Sequence, residues 1–252
     1  MIDPREEMME RLLQDAGITA GMHVLDIGCG VGNLTAVLSK LIGERGRVLG
    51  VDRDAASLAM AQDRMRQMSI SNATFLHTDL AALPADIGPF DAAVGRRVLM
   101  YVPDPVPALG RISAVVRPGG VIVFQEQDAS MVPGRIAPWP LHEQVYQWVW
   151  RTVEREGANL HIGFDLPFLL EKAGLTVEHL RAEAVVLTPK TENPIANIAR
   201  VMVPRIVEKG VATAEQIDID TLEARLTAER AAATSAFVSD MVFGAWARKP
   251  AV

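Results

Sequence analysis

"VLDIGCGVGNLT", Val24–Thr35, is the stretch on which the fold and the ligand turn. A short apolar strand carrying one carboxylate, Asp26, runs into three glycines at alternate positions, Gly28, Gly30 and Gly32. Glycine there permits a tight turn and lets a ligand come close to the backbone, because no Cβ stands in the way. A helix opening near Asn33 points its N-terminal amides and the positive end of its dipole at the same space. A dinucleotide's pyrophosphate is one candidate, but the G-x-G-x-x-G fingerprint wants glycine where this chain has Asn33. Asp26 argues further against phosphate, since two anions repel in a partly desolvated site. A ligand presenting an ammonium and a carboxylate suits both the acid and the helix end.

Two more acids extend the outline. The second strand ends "GVD" with Asp52, where an acid accepts hydrogen bonds from both hydroxyls of a ribose. "FLHTDLAALP" places Asp79 just past the third strand, suited to accept from an exocyclic amine. An amino-acid end, a ribose and an adenine together make S-adenosylmethionine.

The surrounding pattern is that of an α/β chain. Met9, Leu12, Leu13 and Ala16 recur at helical spacing behind Asp3-Pro4, which supply a cap and a first-turn proline. Strands are expected at Val24–Ile27, "VLGVD", "TFLH", "DAAVG" and "GGVIVFQE", with helices to about Ile42, from Asp54 to about Met68, and after Pro105. Short apolar strands alternating with helices signal a parallel sheet covered on both faces. The second half adds a loop and helix at "PWPLHEQVYQWVWRTVEREG", a helix capped by Asp165, a strand at "LTVEHLRAEAVVL", a helical region from Asn193 to Ala233, and a last strand at "FVSDMVFGAWAR". With no repeat and no linker, the expectation is a single domain over 1–252. It comprises an N-terminal helix at 1–20, a cofactor-binding core at 21–128, and pocket or lid insertions at 129–164 and 193–233.

Composition narrows the function classes. The chain has 252 residues, 49% hydrophobic and 22% charged, with a net charge of -6. That balance argues against a nucleic-acid surface, which needs a basic stripe. Cys29 is the sole cysteine, so no internal disulfide forms and a reducing compartment fits. Charges fill the N-terminal segment where a signal peptide needs an apolar core, and no apolar run reaches the length of a membrane span. The expectation is a cytoplasmic protein without membrane or nucleic-acid partners, with a homodimer left open. No Cys/His cluster suggests a metal, and neither a G-x-S-x-G elbow nor a P-loop appears.

The set "VLDIGCGVGNLT", "VDRD", "HTDLAALP", "FDAAVGRRVLMYVPDP" and "VVRPGGVIVFQEQD", in that order, resembles the class I S-adenosylmethionine-dependent methyltransferases, and within them small-molecule enzymes of the ubiquinone/menaquinone type. The resemblance spans Gly21 to Asp128, and loosely "FDLPFLLEKAGL". It implies a Rossmann-like, seven-stranded, mostly parallel sheet with helices on both faces, an antiparallel last strand and helical lid insertions. It also implies S-adenosyl-L-methionine as cofactor and a small-molecule acceptor. Asp26, Gly28, Gly30 and Gly32, joined by Cys29 and Asn33, would line the methionine end. Asp52 and Arg53 would meet the ribose, Asp79 and Leu80 would border the adenine, and Gly95 and Arg96 would face the methyl group.

Acceptor and catalytic residues are more open. Arg96 and Arg97 follow the fourth strand, with Tyr101 a helical turn later; Arg97 and Tyr101 are acceptor-binding candidates, and a surface pair or an arginine tied to Asp79 or Asp104 is the alternative. Trp139, Tyr146, Trp148 and Trp150 are dense in a chain with 5% aromatics. They either stack on the acceptor or pack a helix, and Trp139, Tyr146 and His161 join the acceptor candidates. Met202, Ile206 and Leu222 either roof a pocket or form core. Methyl transfer needs a general base only where the acceptor must lose a proton, and Glu126, His142 and His161 are the candidates. Glu126 has two further readings, holding an acceptor amine or satisfying Arg96. A macromolecular methyltransferase remains a second reading, although "GRRVLMYVP" stands where an adenine-N6 enzyme carries "NPPY". An S-adenosylmethionine-binding enzyme of other, cyclase-like chemistry is a third, and a binding module without turnover a fourth.

Overall fold

The computed structural model describes residues 4–129, 134–191 and 193–251, so the expected cap at Asp3 lies outside the described residues. The elements run α1 (Pro4–Asp15), β1 (His23–Ile27), α2 (Asn33–Ile42), β2 (Arg47–Asp52), α3 (Ala55–Gln67), β3 (Ala73–His77), β4 (Phe90–Arg96), α4 (Pro105–Val115) and β5 (Val116–Asp128). They continue β6 (Gly134–Arg135), α5 (Pro140–Arg155), α6 (Ile162–Lys172), β7 (Thr176–Leu187), α7 (Ile195–Glu208), α8 (Ala214–Ile217), α9 (Ile219–Ala232) and β8 (Phe237–Arg248).

The chain forms two compact units. The core unit holds Met8–Glu126, Ile162–Arg181 and Phe243–Val252; the insertion unit holds Met1–Glu7, Gln127–His161 and Ala182–Val242. In the core unit the strands lie in the order β3-β2-β1-β4-β5-β8, and the first four pairings are all parallel. β7 also pairs with β8. In the insertion unit the first residues of β8 pair antiparallel with β6, Gly134 against Val238 and Arg135 against Phe237. Beside the seven expected strands, the described residues thus contain one more, the two-residue β6.

Burial explains the strands. All of β1 after His23 is buried, which is what a parallel sheet covered on both faces demands. Val24, Ala92, Val94, Val121 and Val123 share one face with Met9, Leu12 and Leu13 of α1 and Leu34, Leu38 and Ile42 of α2. Their odd-numbered or even-numbered alternation within each strand follows from the two-residue period of the pleat. α3 is capped as its sequence suggests, with the Asp54 carboxylate accepting from Ala56 N (3.2 Å) and Ser57 N (3.1 Å).

α6 departs from expectation. It starts at Ile162, so Asp165 lies in its first turn and not at its cap. Ile162 is fully buried and Gly163 sits so tightly against the Phe243 ring that a Cβ would come within 2.4 Å of it. Burial of those two residues extends the helix upstream of the local capping signal.

The insertion unit has its own core. Trp139, Tyr146 and His142 pack around Phe237, with Trp139 stacked on it at 5.4 Å between ring centroids. Met202, Ile206 and Leu222 are buried as well.

Candidate functional site

The glycine turn is built by backbone geometry that few other residues adopt. Gly28 has φ 61°, and a Cβ on it would stand 2.7 Å from Val98 Cγ2. Gly30 has φ 50°, and a Cβ on it would meet nothing within 4 Å, so its outer side is open space. The turn is tied to the sheet by Cys29 N–H donating to Val51 O at 3.0 Å.

Asp26 lies under the turn, fully buried. Its Oδ2 accepts from Thr35 Oγ1 at 2.5 Å, and its Oδ1 has no hydrogen-bond partner among the described residues. Burial pushes its pKa up to about 7, opposed by the Thr35 hydroxyl and the charge of Arg96, and assisted by Asp52. An orphaned carboxylate oxygen is costly unless a donor arrives from outside the chain. Asp52 closes the turn from above: its Oδ2 accepts from Gly30 N at 2.8 Å and its Oδ1 from Asp54 N at 2.9 Å. A carboxylate has about four acceptor sites, so capacity for two more donors remains. Cys29 is buried; burial first, then Asp26 and Asp52, push its thiol pKa far up, which leaves it inert as a nucleophile.

Two adjoining cavities flank these residues. One of about 450 Å³ is lined by Asp52, Arg53, Asp79, Leu80, Val98 and Arg111, among others. A second of about 290 Å³ is lined by Asp26, Cys29, Gly30, Asn33 and Arg96. Gly28, Arg97 and Tyr101 line both. Of the expected cofactor residues, Gly32 and Gly95 line neither. Gly32 caps α2 in a left-handed conformation, and a Cβ on Gly95 would strike Phe124 at 2.4 Å. Asp79, which is exposed, accepts from Ala81 N at 2.8 Å and so caps a short 3₁₀ turn at Leu80–Ala82.

Glu126 is fully buried and lines neither cavity. Its Oε1 accepts from Val98 N and Leu99 N, both at 2.9 Å, and burial raises its pKa to about 7 against the pull of those amides and of Arg97. Arg97, with φ 56°, donates its N–H to Gln125 O at 2.8 Å.

The remaining candidates belong to the insertion unit. His142 is fully buried, its Nδ1 2.6 Å from Glu229 Oε2, and its Nε2 has no partner among the described residues. Burial lowers its pKa against the pull of Glu229, and Nδ1–H donates to the carboxylate. Glu229 also accepts from the backbone amides of Leu141 (2.8 Å) and His142 (2.9 Å), capping α5. Trp139 is fully buried, Tyr146 donates its hydroxyl to Asn193 Oδ1 at 3.2 Å, and the exposed His161 approaches Asp128 at 3.5 Å. Sequence reasoning missed Thr35, Val98 and Glu229. Thr35 stood inside the quoted stretch, nine residues from Asp26; Glu229 carries no local signal.

Among the described residues no helix is long and apolar enough to cross a membrane, and no group of three or more His, Cys, Asp or Glu is placed to hold a metal ion.

Comparison with known proteins bears on the family and the fold. The chain is 33% identical over 124 residues to a demethylmenaquinone methyltransferase of Staphylococcus aureus, covering 49% of this chain and 51% of that protein. It thus spans about half the length of the curated relatives it matches. Among solved structures, a SAM-dependent methyltransferase from Aquifex aeolicus superposes with TM-score 0.58 at 17% identity over 95% of this chain and 88% of that one. The [4+2]-cyclase SpnF superposes with TM-score 0.60 at 20% identity over 98% and 82%, and such likenesses speak to the fold. The methyltransferase-domain family model matches residues 18–174, well over half of the sequence, and the chain belongs to that family.

Proposed function

We propose that the two adjoining cavities hold S-adenosyl-L-methionine and that the protein transfers its methyl group to a small-molecule acceptor. The observation that carries this reading is the buried, unpartnered Oδ1 of Asp26 beside the open side of Gly30, in a cavity that shares Gly28, Arg97 and Tyr101 with a larger one lined by Asp52 and Asp79. An amino-acid end fits the first and a nucleoside the second. Asp26 receives the ammonium, while the turn and the start of α2 receive the carboxylate, with Cys29, Asn33 and Arg96 as walls. Asp52 accepts from the ribose hydroxyls beside Arg53, and Asp79 and Leu80 border the adenine. When bound, the cofactor supplies an electrophilic methyl group on a sulfonium.

The chain's own work is then positioning. Holding an acceptor at near-attack distance is worth roughly 7–11 kcal/mol of barrier. Arg97 and Tyr101, which line both cavities, are the candidates for contacting the acceptor. An acceptor that must lose a proton needs a base within reach of the cavities; His142 is fully buried, its Nδ1 is held by Glu229, and it lines neither cavity.

The experiment is incubation with S-adenosylmethionine and small-molecule pools, beginning with demethylated quinones because of the Staphylococcus relatives. S-adenosylhomocysteine is expected to accumulate only when an acceptor is present. Tight binding of the donor with no S-adenosylhomocysteine from any pool would favour the cyclase-like reading.

A further inference from the structure

Two consecutive residues at the end of β5 grip three consecutive residues of the loop that leaves β4. Gln125 O accepts from Arg97 N, and Glu126 Oε1 accepts from both Val98 N and Leu99 N. The gripped residues open a short 3₁₀ turn, Leu99–Tyr101, whose N-cap Val98 has no side chain able to cap it. The first amides of such a turn have no partner within it. Glu126 reaches across from the neighbouring strand and supplies the missing acceptor. The loop also carries Arg97 in a left-handed conformation, which a residue with a Cβ keeps only when its surroundings hold it there.

What this loop does makes the grip matter. Arg97 and Tyr101 line both cavities, Val98 lines the larger one, and the Val98 isopropyl group lies against Gly28 at the heart of the glycine turn. A displacement of Val98 moves the wall of the larger cavity and its contact with Gly28, which lines both cavities. Glu126 itself lines neither cavity; its Oε1 is engaged by the two amides, and its buried Oε2 has no hydrogen-bond partner among the described residues.

We propose that Glu126 is a positioning residue: by accepting from Val98 and Leu99 its carboxylate sets the Arg97–Tyr101 wall of the groove, and it takes no proton from the acceptor. The clamp is a property of the ligand-free protein; its consequence for the cofactor rests on the function proposed above.

The test combines amide hydrogen exchange on the ligand-free protein with calorimetric binding of S-adenosylmethionine, for wild type, Glu126→Gln and Glu126→Ala. Glutamine keeps an oxygen acceptor without the charge. It is expected to retain slow exchange at Val98 and Leu99 and to stay within about threefold of wild-type affinity. Alanine is expected to speed exchange at those two amides while the strand amides stay protected, and to weaken the cofactor by about tenfold or more. Should Glu126→Ala fail to fold, rescue by Glu126→Gln decides alone. Unchanged exchange and affinity in Glu126→Ala would overturn the proposal. So would a Glu126→Gln protein that keeps both yet loses S-adenosylhomocysteine formation on an acceptor that wild type turns over, since that is the behaviour of a base. If wild type binds no S-adenosylmethionine, the proposed function fails while the exchange data still judge the clamp.

Discussion

Asp52→Ala is expected to weaken S-adenosylmethionine binding by about a hundredfold or more, measured by calorimetry at pH 8. The carboxylate has two jobs. It accepts from Gly30 N and Asp54 N, so it latches the glycine turn to the end of β2. Its remaining capacity is the proposed acceptor for two ribose hydroxyls. Hydrogen bonds to an ionised group contribute about 1.5–3 kcal/mol each, and every 1.4 kcal/mol is about tenfold in affinity. Losing two ribose contacts alone accounts for about 3 kcal/mol, and the loosened turn adds to it. Asp52→Asn separates the jobs: it keeps one oxygen acceptor, and it is expected to fall between wild type and alanine. An alanine variant with wild-type affinity would remove the ribose from Asp52.

Affinity for S-adenosylmethionine is expected to fall as the pH drops below about 7, and Asp26 is the cause. In the ligand-free protein burial holds the Asp26 pKa at about 7, well above its ordinary value. Below that pH the side chain is neutral, and an incoming ammonium must displace a proton; above it the carboxylate is already charged and waiting. The sign follows from linkage: a proton that must leave on binding weakens binding wherever it is bound beforehand. The loss approaches tenfold per pH unit, so affinity at pH 6 is expected to be about tenfold below that at pH 8. Asp26→Asn removes the titrating group, and the variant is expected to bind weakly with a much flatter profile. The carboxylate of Glu126, raised to about 7 as well, keeps an acceptor oxygen for Val98 and Leu99 when protonated, so its titration leaves the clamp in place. An Asp26→Asn profile as steep as wild type would place the titration elsewhere.

Much of this was readable in advance, for reasons that can be named. β1, β2, β4 and β5 are built on short apolar runs bounded by turn residues, and α1, α2 and α3 carry periodicity or capping signals, so their local preferences agree with the final packing. The glycine turn was legible because backbone conformation there is restricted to glycine, and Asp26 because a carboxylate in that place has few uses. Long-range partnerships were not legible. By sequence Glu126 is a candidate base, or a partner for an acceptor amine or Arg96; no local pattern points to the backbone amides of Val98 and Leu99 that donate to its Oε1. His142 was a lone histidine by sequence, and its partner Glu229 stands 87 residues away. The start of α6 was misplaced because burial of Ile162 and the fit of Gly163 against Phe243 outweighed the cap signal at Asp165. In each case the deciding contact joins segments that no local pattern connects.

The most direct test of the central claim is a calorimetric titration of the purified protein with S-adenosylmethionine, S-adenosylhomocysteine and NAD at pH 8. One-to-one binding of the first two and no binding of NAD are expected, because Asp26 and Asn33 disfavour a pyrophosphate at the glycine turn. Tight binding of NAD with no binding of S-adenosylmethionine would contradict that claim.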